Sequence, residues 1–196
     1  MTTYHRTAAL LAAATLALAG CSDDDDPDAA GGTVPESAPY NDADVDFATE
    51  MIPHHAQALI MVDMAATRDV SPEFGSLLEQ IRAAQAPEIE QMSDWLVEWG
   101  EPVPDNARDH GGMGDGSGED MPGMMDPDDV DDLGSMMGSG FEDRWLTMMI
   151  EHHEGAIEMS EEELADGEFD EATDLAGSIV ESQTAEIEQM EQMLAG

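Results

Sequence analysis

The stretch Met51-Ile52-Pro53-His54-His55, followed by Ala58 and Met61, returns 98 residues further on as Met149-Ile150-Glu151-His152-His153, followed by Ala156 and Met159. The match extends outward at the same offset. Thr49 pairs with Thr147, and Phe47 stands opposite Trp145. Downstream, Leu77, Ile81, Gln85, Glu88, Ile89, Glu90, Gln91, Met92 and Leu96 pair with Leu175, Ile179, Gln183, Glu186, Ile187, Glu188, Gln189, Met190 and Leu194. A register kept this long without an insertion marks a duplicated unit.

Each copy reads as a helical hairpin. In the first, Phe47, Met51, Ala58, Met61, Val62 and Ala65 recur at spacings of three and four, as one face of a helix requires. Asp69-Val70-Ser71-Pro72 breaks the pattern, with Ser71 as N-cap and Pro72 at the first helical position. The second helix carries Leu77, Leu78, Ile81, Ile89, Met92 and Leu96 and stops at Trp99-Gly100. Pro87 lies inside it and is expected to kink the chain or remove a hydrogen bond; the second copy has Ala185 at that position. Two hairpins make an all-α four-helix bundle. Repeat one is expected over 42–99 and repeat two over 141–196, joined by a Met-, Gly- and Asp-rich linker over 100–140. One short helix is expected in the linker, beginning near Asp126-Pro127 and running to Met137.

The bundle, over 41–196, is preceded by two segments of other kinds. Residues 1–20 read as a lipoprotein signal peptide: a short basic start, an apolar run from Ala8 to Ala19 too short to span a bilayer, then Leu18-Ala19-Gly20-Cys21. The last four residues resemble a lipobox, in which cleavage leaves Cys21 as the lipidated N-terminus. Residues 21–40 read as a disordered acidic tether. These features place the protein outside the cytoplasm, lipid-anchored in the cell envelope, on the outer side of the cytoplasmic membrane or in the periplasm. Cys21 is the single cysteine, so an intrachain disulfide and a thiolate metal site are excluded.

The formal charge is −41, and all five basic residues are arginines. Nucleic acid and anionic membrane surfaces demand a basic patch and are therefore poor partners, and no nucleic acid is expected. The acidity reads either as a solvated, self-repelling surface or as a negative field that raises the local concentration of cations.

The chemistry concentrates in the repeated frame. Met51, His54, His55 and Met61 share one broad helical stripe, as do Met149, His152, His153 and Met159. If the copies pack with pseudo-two-fold symmetry, four imidazoles and several thioethers meet. Thioether and imidazole without thiolate suit Cu(I), and by the same softness Ag(I). The competing reading is a structural or interaction module: a methionine stripe fills cores well, and core histidines can be satisfied by hydrogen bonds. Gln85, Glu88, Gln183 and Glu186 lie on the second helix of each hairpin, either placed to hold the imidazoles through their spare N–H groups or forming a solvated helix edge. In the linker, His110, Met113, Met121, Met124 and Met125 form an auxiliary soft-metal candidate, since thioethers there have no core to fill.

The frame Phe/Trp-x-x-x-Met-Ile-x-His-His-x-x-Ala-x-x-Met, followed by Gln-x-x-Glu-Ile-x-x-Met, resembles the DUF305 family of exported bacterial proteins over about residues 42–196. Met121-Pro122-Gly123-Met124-Met125 is similar to that family too. The resemblance implies a ferritin-like four-helix bundle. It also implies copper binding in the cell envelope, since some members serve copper resistance, with Met51, His54, His55, Met61, Met149, His152, His153 and Met159 as the residues concerned. The expected function is Cu(I) sequestration or transfer, without catalysis, in exchange with a copper-handling protein. A redox enzyme using copper would need a coordination position left open to substrate. Di-iron oxidase chemistry needs Glu-x-x-His, which does not occur in the chain. No acidic run has the Gly and Glu of a calcium-binding loop.

Overall fold

The computed structural model describes residues 38–104 and 121–196. His110, Met113 and Cys21 lie outside these residues. Five helices form: α1 (Asp42–Ala66), α2 (Pro72–Trp99), α3 (Pro127–Ser135), α4 (Ser139–Asp166) and α5 (Asp170–Leu194). Among the described residues there is no strand. No helix there is long and apolar enough to cross a membrane.

Local chemistry sets the helix ends. Asn41 accepts from the N–H groups of Ala43 and Asp44, and the Asp44 carboxylate accepts from the Asn41 N–H, which closes a capping box on α1. Ser71 caps α2 by accepting from the Phe74 N–H, and Gly100 ends it at φ 79°, a left-handed backbone that a Cβ would strain. Pro87 does not break α2, which runs unbroken to Trp99. The carbonyl that loses its donor belongs to Ala83, an exposed residue, so the loss falls on the solvent side of the helix. Arg68 holds α3 in place: its guanidinium donates to the carbonyls of Gly134 and Met136 at the end of α3 and lies 3.9 Å over the Phe141 ring.

α1 pairs with α2, α4 with α5, and the two hairpins join along α1 and α4. α1 and α4 run antiparallel, since Asp44 meets the turn after α4, His54 meets His152, and Met61 meets Trp145. His54 and His152 are equivalent residues of the repeat, so the pseudo-two-fold axis passes between their rings.

The apolar residues divide into two clusters. One holds Phe47, Met51, Ile52, Trp95, Leu96, Met159, Leu175 and Ile179; the other holds Met61, Val62, Leu77, Ile81, Trp145, Met149 and Met190, with Val130 and Leu133 of α3 packed into it. Each cluster contains one frame methionine from each copy.

At the bundle end where α1 begins, one buried acidic pair is held by the fold. The Asp44 carboxylate accepts from the N–H groups of Asn41, Glu168 and Phe169, tying α1 to the α4–α5 turn. Glu163 is buried beside it and has no ordinary donor for either carboxylate oxygen. Burial, and then the neighbouring Asp44, push the Glu163 carboxyl up to about 8. The folded protein therefore holds a Glu163 proton that the unfolded chain releases near 4.5. The associated stability is complete below pH 4.5 and is lost as pH rises toward 8. Glu163→Gln keeps a donor toward Asp44 without titrating. The stability of the wild type relative to this variant is expected to fall steadily between those pH values, as read from paired thermal melts. A pH-independent difference would refute the shared proton.

Candidate metal centre

All eight residues of the doubled frame are buried: Met51, His54, His55 and Met61 on α1, and Met149, His152, His153 and Met159 on α4. The histidines lie between the two apolar clusters. At their centre the His54 and His152 rings are in contact, with centroids 3.8 Å apart and planes tilted by 36°. The His152 and His153 centroids are 6.4 Å apart.

Hydrogen bonds orient three of the four rings. His55 Nε2 lies 2.7 Å from Glu88 Oε2, and His153 Nε2 lies 2.8 Å from Glu186 Oε2. These are the same bond in the two copies, made from the second helix of each hairpin. Glu186 also accepts from the Gln80 amide at 3.2 Å. His54 Nε2 lies 3.0 Å from the Pro122 carbonyl.

A carbonyl or a carboxylate only accepts, so in these three bonds Nε2 carries the proton. Their Nδ1 atoms then keep a lone pair, and all three are buried without a partner. Both nitrogens of His152 are likewise unpartnered, as are Gln85 Nε2 and Oε1 and Gln183 Oε1. A cluster of buried orphan donors and acceptors is rare in a protein interior, because each costs about 1–3 kcal/mol.

Three of the rings are held in the neutral form. Burial, reinforced by His55, pulls His54 down to about 3 against the opposing bond from Pro122. Burial and then the neighbouring imidazoles hold His152 well below its ordinary value. Burial lowers His153 although Glu186 favours its charged form. At neutral pH their lone pairs are free of protons, which is the state a metal ligand needs.

Among the described residues, no three His, Cys, Asp or Glu side chains converge on a point that could hold a metal ion. The His54 and His152 rings lie too close for an ion between their faces. An ion would be met at ring-edge nitrogens, with thioethers completing the donor set. Neutral nitrogen and sulfur donors fit a soft monovalent cation.

The linker methionines fall in different places. Met125 and Met136 are half-buried against the second apolar cluster, and Met137 is exposed. Met121 and Met124 are half-buried. Three features of this region are not evident from the repeat. Gln57 donates to the Met125 carbonyl and accepts from the Met125 N–H, both at 2.8 Å, Pro122 reaches His54, and Gly155 admits the linker backbone. Gln57 and Gly155 occupy the same position of the two copies and differ, so matching the copies passes over them.

The molecule is thus a duplicated helical bundle built around four buried imidazoles. It belongs to the DUF305 family, described as a domain of unknown function, which matches residues 44–194. It is similar to a DUF305 fragment from Deinococcus radiodurans at 30% identity and a TM-score of 0.70, covering 81% of this chain and 99% of that one. It is also similar to a DUF305 protein from Streptomyces coelicolor, described as a predicted secreted protein, at 31% identity and a TM-score of 0.68, covering 78% and 92%. CopM in its Cu(II)-bound form matches at 33% identity and a TM-score of 0.65, covering 78% and 95%. CopM also matches in Cu(I)-bound, silver-bound and metal-free forms. No protein of curated function matches the chain.

Proposed function

We propose that this protein binds Cu(I) through the imidazoles and thioethers of the doubled frame, and sequesters it or passes it on in the cell envelope. Copper is the cargo, and the process is coordination without catalysis. The observation that carries the reading is the set of buried, unpartnered imidazole nitrogens on the pseudo-two-fold axis. Support comes from the frame methionines, from Glu88 and Glu186 fixing two rings with lone pairs free, and from the likeness to CopM, which was solved with Cu(I), Cu(II) and silver. Gln85 and Gln183 are buried polar side chains available to steady a ring or a water near it. Silver is expected to replace copper in vitro. Export and lipid anchoring at Cys21 rest on the lipobox-like Leu18-Ala19-Gly20-Cys21, and a copper-handling protein would be the exchange partner.

A second reading has two observations in its favour. The contact of His54 with His152, and the absence of a converged donor set among the described residues, also fit histidines that serve packing alone. An anaerobic Cu(I) titration against a colorimetric competitor separates the two. His54→Ala combined with His152→Ala is expected to weaken binding by more than the about 10–100-fold that loss of a ligand's partner costs. A surface Glu→Ala is expected to change it little. Unchanged affinity in the double variant would leave the histidines to the fold.

A further inference from the structure

The repeat matches at the histidines and differs around them, and among these differences Gln57 on α1 stands where α4 has Gly155, the two flanking the α1–α4 seam. The segment Met121–Met125 uses both. Gln57 clamps the Met125 peptide through two hydrogen bonds of 2.8 Å, one donated and one accepted. Gly155 leaves the space in which the Pro122–Gly123 backbone lies: a Cβ at Gly155 would fall on the Pro122 carbonyl. Gly123 is matched to this approach, with φ 70° and no room for a Cβ, which would come within 2.6 Å of the Glu151 carbonyl. Between clamp and notch, the Pro122 carbonyl accepts from His54 Nε2 at 3.0 Å. The segment therefore lies across the seam directly against the imidazole on the pseudo-two-fold axis.

The hold on this segment is light. Its hydrogen bonds to the helices are the three just named, all from α1, and α4 contributes a shape rather than a bond. Its five residues are only half-buried, whereas His54 and His152 are fully buried. Segments with few buried contacts open locally, far below the free energy of global unfolding.

We propose that Met121–Met125 is a removable cover on the histidine centre, and that Gly155 and Gln57 are positioning residues that set the rate at which a soft metal ion is taken up and released. This role rests on the copper reading given above. Opening breaks the bond to His54 and exposes that ring, so the cover controls rates while the imidazoles and thioethers beneath it control affinity. It also places the thioethers of Met121 and Met124 beside the route rather than in the core.

Gly155→Ala is the informative change, because alanine favours the helix that α4 already forms and does not endanger folding. Its methyl group forces the cover off the seam. Gln57→Ala removes the clamp from the other side. Gly177→Ala, on the half-buried side of α5 with ordinary contact space, is the control. Two readouts are taken on the purified protein: deuterium exchange at the Met125 N–H, without metal, and the rate of Cu(I) transfer to a competing chelator. In Gly155→Ala and Gln57→Ala the Met125 N–H is expected to lose protection. Transfer is expected to accelerate about tenfold, roughly the factor that two lost hydrogen bonds supply, with a smaller change in Kd. Lost protection with a wild-type transfer rate would overturn the cover and leave the copper reading standing. Retained protection in Gly155→Ala would overturn the notch as what seats the cover. Absence of Cu(I) binding by the wild type would overturn the copper reading, and the cover's role with it.

Discussion

Trp145→Ala is expected to lower the stability of the bundle by about 3–5 kcal/mol, the usual range for emptying an aromatic site in a core. Trp145 is fully buried, its ring meets Phe74 edge-on at 4.8 Å, and its Nε1 donates to the Met61 carbonyl at 2.9 Å. That bond crosses from one hairpin to the other, so the substitution removes packing and also a direct tie between α4 and α1. A loss of that size is a large share of the about 5–15 kcal/mol that holds a typical domain folded. It should appear as a fall in Tm of roughly 10 °C or more. Trp145→Phe retains most of the ring volume and loses the hydrogen bond, so it should cost far less. Equal melting temperatures for wild type and Trp145→Ala would mean that the two hairpins do not depend on this junction.

Replacing Glu88 and Glu186 together by alanine is expected to reduce Cu(I) affinity about 10–100-fold, although neither carboxylate is placed as a ligand. Each fixes one imidazole of a pair, His55 or His153, so that the proton sits on Nε2 and the lone pair on Nδ1. Without the acceptor the ring is free to turn, and its N–H is buried without a partner, which costs about 1–3 kcal/mol per site. Glu→Gln at both positions separates the two effects. The amide oxygen still accepts, so stability should largely return, while the lost negative charge should leave affinity below wild type. A fall in Tm with unchanged Cu(I) affinity would make the carboxylates structural partners only.

The four long helices and their pairing were legible in the sequence because the duplication supplies its own alignment. A periodic stripe seen twice, with Ser71-Pro72 and Gly100 at the ends of a helix, leaves little freedom in the class of fold. The antiparallel contact of α1 and α4 at His54 and His152 follows from the same symmetry. What breaks the symmetry was not legible. The cover depends on Gln57 and Gly155, where the copies disagree, and on a carbonyl of the linker, which no side-chain pattern announces. The Asp44–Glu163 pair was hidden for another reason. In a chain with 46 acidic residues, two that happen to be buried carry no mark in composition or spacing. The persistence of α2 through Pro87 depends on Ala83 facing solvent, which becomes visible only once the helix is packed.

On the proposed copper reading, the buried imidazoles would let an acidic protein favour a soft ion over hard ones. Most carboxylates lie on exposed helix faces, whereas the two at the buried centre, Glu88 and Glu186, are engaged by His55 and His153, which leaves nitrogen and sulfur to meet an ion. Selection would then follow from donor softness in the interior rather than from surface charge.

Copper K-edge X-ray absorption of the Cu(I)-loaded protein, measured beside the His54→Ala/His152→Ala variant, tests the central claim most directly. Copper held by the doubled frame predicts imidazole nitrogen together with sulfur around one ion in the wild type, with the imidazole contribution lost in the variant. A sulfur-only environment that is identical in both proteins would contradict it.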